Sequence, residues 1–264
     1  MLEQTVQIVS QERDAESYFR LMLRAPAVAP LIQPGQFAHV RILPLKDALL
    51  RRPFSIFQVA GDTFSILYKT VGKGTEVLSR MRVGEELSVI APLGHGFTVP
   101  PAGGVKPLLV AGGYGMAAMF LLAQRSPQKG IVFVGGRRRV DILCEKDFAA
   151  LGWEVRVATE DGSQGEKGFV TQPLLTEIGN RKPETKNYKL FACGPTGMLK
   201  AVGKLAEDFN LPCELSMDEP MCCGVGTCLT CVIKVKAGDG WEYQRTCTEG
   251  PVYDSRQIVW EETK

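Results

Sequence analysis

Leu108-Leu109-Val110-Ala111-Gly112-Gly113-Tyr114-Gly115 is the stretch that decides the fold of this chain. A short apolar run enters a glycine cluster, and a second apolar segment leaves it. That is the pattern of a buried strand turning sharply into a buried helix. No charge interrupts the sequence from Pro107 to Gln124, which approaches the length of a membrane span. Pro107 and three glycines break it, however, and its centre reads as a turn, so a membrane segment is not expected.

Outward from this stretch toward the C-terminus, Ile131–Val134, Val155–Ala158 and Lys189–Ala192 are further short apolar runs, separated by segments long enough for helices. After the last run, Met198, Leu199, Val202, Leu205 and Phe209 recur at helical spacing. Strand and helix in alternation predict a parallel α/β sheet with helices on its faces. Toward the N-terminus the rhythm differs. Phe37–Leu43 and Phe64–Tyr68 alternate, Leu87–Ala91 follows a turn at Gly84-Glu85, and turn residues recur between them, which predicts a small antiparallel β-barrel. Pro100-Pro101-Ala102-Gly103-Gly104 is a linker. The expected division is a barrel over 1–100, an α/β domain over 101–212 and a small terminal lobe over 213–264.

At 264 residues the chain has room for about two domains plus such a lobe. Hydrophobic content of 45% and charged content of 23% are ordinary for a globular protein. A net charge of +2 gives no reason to invoke nucleic acid or a membrane surface. The N-terminus carries an acidic residue and no long apolar run, so a secretory signal is not expected, and the scatter of four of the eight cysteines suits a reducing cytoplasm better than a disulfide framework.

The glycine run Gly112, Gly113, Gly115 exposes backbone N–H groups at a helix start, where a pyrophosphate can be held. Its match to the dinucleotide fingerprint is imperfect, since Ala118 fills the third slot. A second turn, Cys193-Gly194-Pro195, follows the last strand of the sheet and opens another helix. Two such turns at the carboxyl ends of parallel strands predict a dinucleotide site. Arg137-Arg138-Arg139 suits a surface turn or a grip on a ribose 2′-phosphate, while Asp141 and Glu160-Asp161 could take ribose hydroxyls, so NAD and NADP both stay open.

The terminal lobe carries Cys223, Cys228 and Cys231 in the spacing C-x4-C-x2-C, closed by Cys247. Four thiolates at that spacing suit a 2Fe-2S cluster of the plant-ferredoxin type. Structural zinc sites more often pair two short Cys hooks, and zinc or a disulfide pair are the alternatives. Gly224 and Gly226 fit the close approach of backbone N–H groups to sulfides. In the barrel, Arg52-Pro53-Phe54-Ser55 could offer a cation, an aromatic face and a hydroxyl to a cofactor. Gly72-Lys73-Gly74-Thr75 reads as a phosphate-contacting turn leading into a helix over Glu76–Met81.

Barrel, α/β half, Arg52-x-Phe54-Ser55, Gly72-Lys-Gly-Thr75 and Cys193-Gly-Pro195 in that order resemble the ferredoxin–NADP reductase superfamily. The cysteine lobe, the opening Pro34-Gly35-Gln36-Phe37 and the closing Cys247-x-Glu249-Gly250-Pro251-Val252 narrow the resemblance to the electron-transfer subunits of NAD-linked bacterial dihydroorotate dehydrogenase. The resemblance covers essentially the whole chain. It implies FAD held by Arg52, Pro53, Phe54, Ser55, Leu67, Tyr68, Lys69, Gly74 and Thr75. It also implies iron ligation by Cys223, Cys228, Cys231 and Cys247, and an FMN-containing catalytic partner in a heterotetramer of two of each chain. Tyr114 departs from the family, which has a small aliphatic residue there, and Cys222 is an extra thiol beside the first ligand.

The implied chemistry carries electrons from NADH through FAD and the cluster to the partner, or the reverse, in pyrimidine biosynthesis. A nicotinamide gives two electrons together and a two-iron cluster takes one at a time, so a flavin must stand between them. With only His39 and His95, the chain is poorly supplied for general acid–base work. No catalytic residue is expected; Cys193 either shapes the nicotinamide–flavin contact or is a buried structural cysteine. The rivals are a reductase of the same architecture serving a hydrogenase, a ferredoxin or an oxygenase, and a zinc-binding, nucleotide-sensing module.

Overall fold

The computed structural model describes residues 1–44, 50–179 and 187–260. Among them β1 (Leu2–Ala15), β2 (Tyr18–Arg24), β3 (Phe37–Arg41), β4 (Arg52–Ala60), β5 (Thr63–Lys69) and β6 (Glu86–Leu93) form the first unit. These strands close into an antiparallel barrel in the order β1-β2-β5-β4-β3-β6. The long β1 makes closure work: Leu2–Gln7 pair with β6 and Gln7–Ala15 pair with β2, with a register irregularity between Ile8 and Ser10. Val6, Ile8, Leu21, Leu23, Val40, Ile56, Ile66 and Val89 fill the interior. A short helix, α1 (Lys73–Leu78), follows β5 and starts three residues before the Glu76 start expected from sequence. The Thr75 hydroxyl advances it by satisfying backbone groups of the turn. It accepts from the N–H groups of Val71 (2.9 Å) and Gly72 (3.2 Å) and donates to the Gly72 carbonyl (2.9 Å).

The second unit runs β7 (Lys106–Gly112), α2 (Met116–Arg125), β8 (Ile131–Gly136), α3 (Glu145–Ala150), β9 (Glu154–Thr159), β10 (Glu166–Lys167), α4 (Thr171–Gly179), β11 (Tyr188–Cys193), α5 (Thr196–Asp208) and β12 (Cys213–Ser216). Its strands pair in parallel in the order β10-β9-β8-β7-β11-β12. Alternate residues of β7 serve the two faces. Leu109 and Ala111 pack with α2, and Leu108 and Val110 pack with Leu174 of α4 and Val202 of α5. The uncharged stretch from Pro107 to Gln124 is thus β7 and α2. Met116 to Ala123 are all buried, because α2 lies between the sheet and the barrel, where Phe120 stacks on Phe57 of β4 at 4.4 Å. Among the described residues no helix is long and apolar enough to cross a membrane.

The remaining chain forms the hairpin β13 (Val232–Ala237) and β14 (Gly240–Arg245), and then β15 (Val252–Asp254). β12 extends the sheet beside β11, and β15 pairs antiparallel with β12. The sequence boundary at 212 therefore falls between two hydrogen-bonded neighbours, and the terminal lobe lends two strands to the α/β sheet. Strands of four and three residues are too short to show a period. The lobe also seats on the barrel. Phe37 and Leu93 of the barrel pack with Cys231 and Cys247, and the His95 N–H donates to the Gly250 carbonyl at 2.6 Å.

Candidate functional site: a cleft shared by three units

The chain winds outward from β7 through β8, β9 and β10, then returns to β11 on the other side of β7. In such a sheet the crevice lies where the order reverses, at the carboxyl ends of β7 and β11. Ala111 stands opposite Cys193 there, so the turns at Gly112–Gly115 and Cys193–Pro195 meet. Contact is close enough that a Cβ on Gly115 would collide with the Cys193 carbonyl oxygen. A Cβ on Gly112 would crowd Met198 and Pro195, and one on Gly194 would crowd Met198.

These turns open onto a cleft of about 1190 Å³, its mouth included. The barrel contributes Phe37, Arg52, Pro53, Phe54, Ser55, Leu67, Tyr68 and Lys69, with Val71 and Thr75 from the turn into α1. The sheet contributes Tyr114, Gly115, Cys193, Gly194, Ser216, Met217 and Asp218, and the terminal lobe adds Met221 and Pro251. Eleven residues expected from sequence thus share one cavity: Arg52–Ser55, Leu67–Lys69, Thr75, Gly115, Cys193 and Gly194. Gly74, Gly112, Gly113 and Pro195 are not among its lining residues. Ser216–Asp218 escaped the sequence reading because β12 did; had that strand been recognised, its carboxyl end would have pointed to them.

Arg51 and Arg52 divide their work. Arg51 donates to the Ser88 carbonyl (2.8 Å) and hydroxyl (2.9 Å) and pairs with Glu3, which ties it into the barrel. Arg52 reaches the cleft, with its guanidinium lying over Gly74. Phe54 meets Tyr68 edge-on at 5.7 Å, and Tyr68 stacks on Phe19 at 5.7 Å. The aromatic surface of the cleft is thus braced from behind. Lys69 spans to the α/β half, 3.7 Å from Asp141 and over the ring of Tyr18. Asp141 is thereby engaged by the barrel, and the Asp161 carboxylate accepts from the Ser163 N–H in its own turn. Burial pushes the Cys193 thiol up to about 12, although Ser216 hydrogen-bonds it, so it is neutral at ordinary pH.

In the lobe, the N–H groups of Val225 (3.5 Å), Thr227 (3.3 Å) and Cys228 (3.4 Å) converge on the Cys223 sulfur. The Thr230 hydroxyl donates to the Cys228 sulfur at 3.2 Å. That bond, with hydrogen bonds from Cys223, lowers the Cys228 thiol to about 6, whereas burial raises Cys247 to about 12. Gly224 has φ +69, and a Cβ there would sit 2.5 Å from Nδ1 of His39, so glycine is required twice over. His39 is buried under this loop with both ring nitrogens unpartnered; burial above all, and then the Arg51 charge, lower its imidazole to about 4. Among the described residues no three His, Cys, Asp or Glu side chains close around a point as a site for one metal ion. Fit to a cluster therefore rests on the donor set of four free thiols and on the N–H cradle around Cys223, and both suit it.

Two family models match the chain. One, described as the iron–sulfur cluster binding domain of dihydroorotate dehydrogenase B, matches residues 218–259. The other, the oxidoreductase NAD-binding domain, matches residues 109–204. The electron transfer subunit of dihydroorotate dehydrogenase B (NAD(+)) from Desulforamulus reducens is 38% identical over 252 residues, covering 94% of each chain. Its namesake from Geobacillus thermodenitrificans is 39% identical over 261 residues, covering 96% of each. A solved structure of NADH-dependent reduced ferredoxin–NADP oxidoreductase superposes with a TM-score of 0.83 at 27% identity, covering 97% of this chain and 90% of that one. A ferredoxin reductase of carbazole 1,9a-dioxygenase shares the fold, with a TM-score of 0.66 at 21% identity over 80% of this chain and 67% of its own.

Proposed function

This chain belongs to the family of electron-transfer subunits of NAD-linked dihydroorotate dehydrogenase B, and from that membership we propose how its own residues carry the work. It is a flavin and iron–sulfur oxidoreductase subunit. It passes electrons between NAD(H), FAD and a 2Fe-2S cluster and a dihydroorotate dehydrogenase catalytic subunit, in pyrimidine biosynthesis. The observation that carries the assignment of sites is the shared cleft. The glycine turns of the sheet, the Arg52–Ser55 strand and two residues of the cysteine lobe line one cavity. Phe37 lines that cavity and also packs against Cys231 and Cys247, which joins the flavin wall to the cluster lobe without an intervening gap.

In this reading residues 1–100 hold FAD, 101–212 bind NAD(H) and 213–264 hold the cluster. When bound, FAD supplies the exchange between a two-electron hydride and single electrons, and the cluster supplies one-electron storage. Arg52 binds the flavin pyrophosphate, and Pro53, Phe54, Ser55 and Leu67 to Lys69 orient the ring system. Thr75 holds the turn whose Gly74 leaves Arg52 its space. Gly112, Gly113 and Gly115 offer N–H groups to the dinucleotide, with Gly194 and Pro195 shaping the second turn. Cys193, kept neutral by burial, shapes the nicotinamide contact rather than attacking it. Cys223, Cys228, Cys231 and Cys247 ligate iron; the three N–H donors aimed at Cys223 favour it over Cys222 as first ligand. The partner carries FMN, two copies of each chain assemble, and the cluster lobe faces it. Eight free cysteines support a reducing cytoplasm as the location.

The test is an absorption spectrum of anaerobically purified protein before and after NADH, with flavin and metal assayed on the same sample. One FAD and two irons per chain, both chromophores bleaching with NADH, is the expected result. Zinc in place of iron, or no flavin, would overturn this reading.

A further inference from the structure

β11 lies between β7 and β12, so the turn after β7 and the segment after β12 flank its carboxyl end on either side. Tyr114 from the first donates its phenol hydrogen to Oδ2 of Asp218 from the second, at 3.0 Å and across 104 residues of chain. The bond consequently spans the end of β11, where Cys193 and Gly194 stand, and all four residues line the same cleft as Phe54. Tyr114 is 53% exposed, so burial of its ring does not account for its place on the turn. Partial burial of the side chain, with Asp218 adding to the effect, raises the phenol to about 12, so it stays protonated and can donate at ordinary pH.

A dinucleotide that lays its pyrophosphate on the N–H groups of the β7 turn has to carry its nicotinamide past Cys193 and Gly194 to reach β4. Tyr114 and Asp218 flank that end of β11 on either side. We propose that the Tyr114–Asp218 bond is a gate over the carboxyl end of β11, which a nicotinamide dinucleotide must open to reach the flavin wall of the cleft. The gate rests on the assignment of NAD(H) to this cleft. Its consequence is a lowered apparent affinity, since only the open fraction binds. One hydrogen bond to a carboxylate at partial exposure sets that fraction, a factor of about five to ten.

The experiment is anaerobic stopped-flow reduction of the bound flavin by NADH in the full chain carrying FAD and cluster. Unmodified protein is compared with Tyr114→Phe, Asp218→Ala and the double variant, each checked for unchanged flavin and iron content. Each single change should tighten the Kd for NADH about five- to tenfold while the limiting rate of flavin reduction moves less than about twofold. The double variant should gain no more than Tyr114→Phe alone, because both remove one bond. An unchanged or weaker Kd in Tyr114→Phe overturns the gate, as do additive effects in the double variant. No bleaching of the unmodified protein by NADH would overturn the functional assignment itself, and the gate with it.

Discussion

Gly74→Ala separates the stability of the barrel from its grip on a cofactor. An ideal Cβ at Gly74 would lie 2.6 Å from Nε of Arg52 and 3.0 Å from its Cζ and Nη2. Moving from 2.6 Å to the 3.4 Å of ordinary contact asks the guanidinium to retreat by about 0.8 Å. Arg52 is a flexible side chain at the edge of a cleft, so the retreat costs the fold little. Alanine in place of glycine within α1 also restricts the unfolded chain, a gain of about 0.5 kcal/mol. The protein without flavin should therefore unfold at the same temperature as the parent or slightly higher. FAD affinity should move the other way. A bidentate phosphate contact tolerates little displacement, and losing a charge-assisted hydrogen bond costs about 1.5–3 kcal/mol, which is roughly 10- to 150-fold in Kd. Thermal unfolding of the flavin-free protein and fluorescence titration with FAD read the two effects separately. Unchanged FAD affinity with the expected stability would refute the placement of Arg52 on the flavin pyrophosphate.

Cys228→Ser should leave NADH-driven flavin bleaching within about twofold of the parent, yet abolish electron delivery to the catalytic subunit. Survival of that delivery would mean that the route avoids the cluster. Phe120→Ala removes the ring stacked on Phe57 where α2 joins sheet to barrel. It should cost about 3–5 kcal/mol in denaturant unfolding, and a loss under about 1 kcal/mol would show that the seam carries little of the stability. Burial holds the Cys193 thiol up near 12, so it is neutral at pH 8, and iodoacetamide should leave it unlabelled in folded protein. The raised value also means that Cys193 opposes folding at alkaline pH, since the unfolded thiol ionises from about 9 upward while the folded one does not. Cys193→Ala should accordingly flatten the loss of stability above pH 9; an unchanged alkaline slope would count against a neutral buried thiol.

Elements whose physics is local are legible in the order of residues. The spacing of Cys223, Cys228 and Cys231 marks a thiolate site that suits a 2Fe-2S cluster, with zinc or a disulfide pair as alternatives, because a short loop must wrap its ligands within a few residues. Gly112–Gly115 after Leu108–Ala111 declares a strand, a turn and a helix start, because backbone freedom and burial are written residue by residue. What depends on distant partners was not legible. β12 and β15 are too short to show a period; β12 exists because β11 offers an edge to pair with, and β15 because β12 does. β1 shows only a brief alternation at Val6 and Ile8, because it serves β6 and β2 in turn with a register break between. His39 is an ordinary strand residue until Gly224 comes to rest on its ring, and Tyr114 is a departure from a family pattern until Asp218 meets it. Side-chain chemistry is set by sequence, but which groups face one another is set by the order and register of strands, and only folding supplies those.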